Sequence, residues 1–149
     1  MRSLASLASL LLLSATLVLS GCGGGGEDDP GQPAAFDVGA LVDGQPVRGI
    51  DVFPGEEQTL YVSAGQTFEL DSSGPVDWTV VIGGQTIAGS GNTIDYAGAT
   101  IQETLTTATR FAASTFADDP LAAPVQVILY ATSRDDPDQT ARINVVITN

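Results

Sequence analysis

Apolar and polar positions follow three regimes along this chain. From Leu4 to Leu19 the chain is an apolar stretch rich in Ser and Ala. Residues 23 to 35, GGGGEDDPGQPAA, carry almost nothing that a core could bury. From Phe36 onward apolar and polar residues alternate in short stretches separated by turn residues. That period of two is the signature of half-buried strands.

The strand pattern can be followed in order. Phe36 to Val42 precedes a Val-Asp-Gly-Gln-Pro-Val turn, and Val47 to Phe53 returns from it before Pro54-Gly55. Thr59 to Ser63 places Leu60 and Val62 on one face. Phe68 and Leu70 alternate with Glu69 and Asp71. Val76, Trp78, Val80 and Ile82 share a face opposite Asp77 and Thr79, and Gly83-Gly84 marks a hairpin. Thr86 to Ala88 returns from that hairpin. Gly89-Ser90-Gly91-Asn92 turns, and Ile94 and Tyr96 make a short strand. At the end of the chain, Val125, Val127, Leu129 and Ala131 face Ala141, Ile143, Val145 and Ile147 across a polar loop, Ser133 to Gln139.

One stretch is divided. Ile101, Leu105, Ala108 and Ala112 have helical spacing, but Thr100, Thr104, Thr106, Thr107 and Thr109 are β-branched and favour extended chain. Strand or irregular chain is preferred there, with a short helix as the alternative. Asp118 to Pro124 carries two prolines and reads as a loop. Many short strands with frequent turns predict an all-β antiparallel sandwich over residues 36–149, with Trp78 as its expected central plug.

The N-terminal regime carries a chemical signal. Arg2 is followed by the apolar stretch, then by Leu19-Ser20-Gly21-Cys22. The stretch is short of the roughly 20 predominantly apolar residues of a membrane span, and the order of regions is that of a secretory signal. The tetrad LSGC resembles the lipobox of bacterial lipoproteins. The resemblance implies a signal peptide at 1–21, cleavage between Gly21 and Cys22, and acyl chains on Cys22. Two or more chains hold a protein stably at a membrane. Gly23 stands where an Asp often marks inner-membrane retention, so the resemblance implies the outer membrane. Residues 22–35 then read as a flexible tether, with a reach of roughly 20 Å from random-coil scaling.

Composition excludes several chemistries. Cys22 is the single cysteine, and there is no histidine. No disulfide, His-based triad or His/Cys zinc site can be built. Beyond the signal only Arg48, Arg110, Arg134 and Arg142 are basic, against all 18 acidic residues, a formal charge of −14. That charge opposes nucleic-acid binding and anionic lipid surfaces. No cofactor is expected.

Residues 64 to 147 resemble bacterial immunoglobulin-like domains of envelope and surface proteins. The resemblance is carried by AGQTFEL, VDWTV, GSGNTIDYAG and VQVILYATSRDDPDQTARINVVI. It implies a two-sheet sandwich without a disulfide, no enzymatic activity, and use as a spacer, adhesion or binding module.

Three candidate sites remain. Asp135, Asp136 and Asp138, joined by Asp118 and Asp119 from another loop, could offer oxygens to calcium; an acidic loop that stays solvated is the preferred reading. Chance carboxylate pairs could serve glycoside hydrolysis, but nothing marks one out. Tyr61, Trp78, Tyr96 and Tyr130 could stack on sugar rings, although Trp78 shares an apolar face. Tyr130 and Ile128 lie on the opposite face of their strand, where the segment from Phe36 to Phe53 is expected to cover them. The expectation is a non-catalytic, lipid-anchored envelope module with a protein partner, the alternative being a glycan- or calcium-binding surface module.

Overall fold

A computed structural model describes residues 36–87 and 91–149. The signal, Gly21, Cys22, the tether and Ala88 to Ser90 lie outside the described residues.

Asp43-Gly44 shows how the local sequence makes the first hairpin. Both residues have positive φ, 49° and 72°, the backbone that a two-residue turn between twisted strands requires. The turn joins β1 (Val38–Val42) to β2 (Gln45–Val52). The chain continues through β3 (Glu57–Ser63), β4 (Thr67–Ser72), β5 (Val76–Ile82), β6 (Gln85–Ile87) and β7 (Thr93–Tyr96). It closes with β8 (Ala99–Thr106), β9 (Arg110–Ala117), β10 (Val125–Ser133) and β11 (Thr140–Thr148).

These strands form two sheets. The larger is ordered β2-β1-β4-β9-β8-β7, and the smaller β3-β11-β10-β5-β6. Every pairing is antiparallel except β11 with β3, which is parallel from Arg142↔Glu57 to Thr148↔Ser63. The architecture is the all-β sandwich that the alternation predicts. Its core is the inward face of each sheet. Val38, Phe68, Leu70, Ile101 and Ala113 from the larger sheet are buried, as are Leu60, Val62, Val76, Leu129, Ile143 and Ile147 from the smaller.

Residues 99 to 116 take the preferred extended form and not the alternative short helix: β8 and β9 pair as a hairpin from Ala99↔Ala117 to Thr106↔Phe111. A register shift between Glu103 and Leu105 turns Leu105 outward, where it is exposed. Ile101 stays in the core, so the helix-like spacing joins residues on opposite faces. Trp78 is not the central plug. It is half-buried at the rim, with its ring 6.0 Å from Phe111 and its Nε1–H donating to the Thr107 carbonyl at 3.1 Å. Trp78 pairs with Ala131 near the start of β5, under the β8–β9 turn, where the wide indole closes the mouth of the sandwich.

Candidate interaction surface

The acidic loop after β10 is organised by its own hydrogen bonds. Ser133 Oγ accepts from the backbone N–H groups of Asp135 and Asp136, both at 3.2 Å. The Asp136 carboxylate accepts from the Asp138 N–H at 3.2 Å and from Gln139 Nε2 at 3.1 Å. Arg134 Nε donates to Asp77 at 2.8 Å, tying the loop to β5. Asp118 and Asp119 cannot join this loop. They follow β9 and precede β10, whereas Asp135, Asp136 and Asp138 follow β10. The strand between them spans roughly 27 Å at the usual rise per residue. Among the described residues no three Asp, Glu, His or Cys side chains gather to hold a metal ion.

The aromatic side chains do not form one platform either. Trp78 faces inward at one end of the sandwich. Tyr96, on β7, presses its ring on Gly83 at the β5–β6 turn: a β-carbon at Gly83 would meet Tyr96 Cζ at 2.9 Å. Tyr61 and Tyr130 do share the outer face of the smaller sheet. However, Tyr61 is level with Val146 and Gln126, and Tyr130 with Arg142 and Glu57. Two strands across and four residues along separate them by roughly 15 Å. The segment from Phe36 to Phe53 does not cover Tyr130, because it builds β1 and β2 of the other sheet. Tyr130 is half-buried among its own neighbours, while Tyr61 is 69% exposed.

The cleft of about 450 Å³ beside Tyr96 is lined by Val81, Gly83, Pro124, Gln126 and Ile128 among others and holds no acid, base or nucleophile beyond the phenol.

Charge pairs lie along both sheets. Arg110 donates to Asp71 at 2.6 Å and stands 3.7 Å from Glu69, and the Asp71 hydrogen bond raises its already high pKa. On the smaller sheet Arg142 Nη1 donates to Glu57 Oε2 at 2.8 Å, and Asn144 Nδ2 donates to Glu57 Oε1. Glu57 is thereby drawn over β11. Asp43 closes the β1–β2 turn onto β4: its carboxylate accepts from the Thr67 N–H and from Gln66 Nε2, each at 2.9 Å. The Thr67 bond, then the Gln66 bond, hold its pKa below the usual carboxylate value. Asp37 and Asp51 share a hydrogen bond, which together with burial and the charges of Asp37 and Glu56 raises the Asp51 carboxyl. Sequence reasoning missed that pair and also Glu103, a buried carboxylate opposite Ala113 that accepts from Thr106 Oγ1. Each depends on strand register, which no local motif announces.

Among the described residues the sandwich leaves four edge strands: β2, β7, β3 and β6. β2 is distorted, since residues 47–50 stand opposite Ala40 alone. β6 has three residues and β7 four. β3 is a regular seven-residue edge. No helix among the described residues is long and apolar enough to cross a membrane. Known protein families, curated proteins and solved structures contain no match to this chain.

Proposed function

We propose that the chain is a lipid-anchored, non-catalytic module of the cell envelope that holds a protein partner close to the membrane. The observation that carries this reading is the LSGC tetrad placed directly after the apolar N-terminal stretch, with Cys22 the single cysteine of the chain. The thiol is the nucleophile that takes the lipid, and acyl chains retain the product at a bilayer, the outer membrane in this reading. The immunoglobulin-like affiliation belongs to the same proposal. It is supported by two facing sheets packed without a disulfide. Its eleven strands exceed the seven to nine of the familiar sandwiches, so the domain is an elaborated relative in this reading.

The folded part supports a binding role over a chemical one. Asp136 is engaged within its own loop, and the smaller sheet ends in an open strand edge, β3. Function is then positional: the lipid sets the place, the tether gives reach, and the sandwich presents edges and loops.

The test is a crosslinking pull-down of the full-length protein from its own membranes, with Cys22→Ser as the unanchored control. The expected result is a stoichiometric protein partner that is lost in the control. The intact mass of the membrane-extracted protein should show loss of residues 1–21 and addition of acyl chains. Retention of polysaccharide in place of any protein would overturn the interaction reading in favour of a glycan-binding module. An unmodified cysteine would overturn the anchor.

A further inference from the structure

The backbone of β3 faces two ways. Arg142 N–H donates to the Glu56 carbonyl at 3.1 Å, and Ala64 N–H donates to the Thr148 carbonyl at 2.8 Å. Those two bonds fix the phase of the parallel ladder: the even-numbered residues 58, 60 and 62 pair with β11, and the odd-numbered ones present their N–H and C=O groups outward. At the far end those outward groups are already occupied. Ser63 N–H donates to Gln66 Oε1 at 2.8 Å, and the Ser63 carbonyl accepts from Thr115 Oγ1 at 3.0 Å. At the near end the Gln58 side chain bonds both backbone groups of Asp51. Between these stops, Thr59 and Tyr61 hold two donors and two acceptors without a partner among the described residues. Both side chains are exposed.

Edges of this kind are normally guarded by charge, proline or bulges. β2 has all three in Arg48, Pro46 and the bulge of residues 47–50 opposite Ala40. On β3 the single charged side chain, Glu57, is turned over β11 by Arg142 and Asn144. The free stretch reads Thr-Leu-Tyr-Val, a sequence of high strand propensity.

Charge selects the occupant. Residues 36–149 hold 15 of the 18 acidic residues, since Glu27, Asp28 and Asp29 precede them, against four arginines. Three of the arginines are in ion pairs. At the start of β3, Glu56 lies with Asp51 and Asp37, and their mutual repulsion is relieved by no arginine among the described ion pairs. A second copy carries the same net negative charge, which opposes pairing, and in antiparallel pairing through Thr59 and Tyr61 it sets Ala64, not a base, opposite Glu56.

We infer that the outer edge of β3 is a docking seam for an extended basic segment of a partner protein, which adds to the smaller sheet through Thr59 and Tyr61. Running antiparallel, the segment makes four backbone hydrogen bonds to these two residues. Its continuation past Thr59 carries lysine or arginine toward Glu56 and Asp51. The inference rests on the envelope-module reading only for the existence of such a partner.

The test uses the full-length lipidated protein in detergent micelles. The probe is a synthetic nonapeptide alternating valine with lysine, and the control replaces each lysine by glutamate. Amide hydrogen exchange should slow by about tenfold or more at Thr59 and Tyr61 with the lysine peptide, as expected for newly paired edge amides. The glutamate peptide should leave both unchanged. Tyr61→Pro removes an N–H that faces solvent, a change that edge strands tolerate, and should abolish the effect. The double variant Asp51→Asn, Glu56→Gln leaves the backbone intact and should weaken the lysine peptide several-fold. Absence of protection at saturating peptide, equal protection by the glutamate peptide, or protection that grows with protein concentration alone would each overturn the seam. If the envelope partner is captured equally by Tyr61→Pro, the seam fails and the functional reading stands. If the lysine peptide binds and membranes yield no partner, the reverse holds.

Discussion

Asp43 and Asp51 pull the acid stability of this protein in opposite directions. Asp43 is ionised more readily in the folded chain because Thr67 and Gln66 donate to it. Its contribution is therefore complete above the ordinary carboxylate pKa of 3.8 and is lost as pH falls through the lowered folded value. Replacing it with alanine removes the bonds to β4 and leaves a side chain with a β-carbon at φ 49°. Asp43→Ala is expected to lower the melting temperature at pH 7, and Asp43→Asn to flatten the acid limb of the stability profile. Thermal unfolding from pH 2 to 7 reads both. Asp51 has its pKa raised, first by the hydrogen bond with Asp37. Its favourable term is complete below its ordinary value and lost as pH rises through the raised folded one. Asp51→Asn should thus melt higher than the parent at pH 7, with the difference closing below about pH 4, near the unperturbed value. Equal melting temperatures at pH 7 would remove the repulsion argument.

At the level of elements, turn chemistry and register decide what the strands can do. Gly83 has φ +56° and lies under the Tyr96 ring. A left-handed backbone costs a non-glycine residue roughly 1–2 kcal/mol, and the ring must also move. Gly83→Ala should therefore destabilise by more than that figure in urea unfolding. The added change Tyr96→Ala should recover the part due to the clash, leaving the backbone part. The strands themselves were largely legible, because Leu60, Val62, Phe68, Leu70, Val80, Ile82, Val127, Leu129, Ile143 and Ile147 occupy alternate positions and all are buried. Leu105 misled because a bulge is invisible to periodicity: one added residue turns every later side chain over. Trp78 misled because alternation assigns a face but not a height along the strand. The candidate seam was hidden for a further reason. Thr59 to Ser63 reads as a strand, but whether a strand is central or at an edge depends on pairings with distant residues.

For the whole molecule, net charge outweighs any single ion pair. The four ion pairs among the described residues have partly exposed side chains, where such pairs contribute about 0–1 kcal/mol each. The surplus of acids acts throughout the domain and favours expansion. Raising sodium chloride from 10 to 150 mM shortens the screening length from about 30 to about 8 Å and should raise the melting temperature. A fall would mean that the arginine pairs dominate. The same surplus keeps copies of the domain apart.

The parallel pairing of β3 with β11 also imposes an order of events. Glu57 bonds a residue 85 positions later, and β11 separates β3 from β10 in the smaller sheet. A chain delivered from its N-terminus therefore cannot seat β3 until residues 140–148 have arrived. Until then β3 and one side of β10 remain open, and native closure of the sandwich is delayed. Under the proposed lipoprotein reading such lateness would serve export, because the stable form cannot arise partway. It also makes the finished sheet a check on complete delivery: a chain stopped at Gln139 should be cleaved rapidly by a broad-specificity protease under conditions in which the full chain survives.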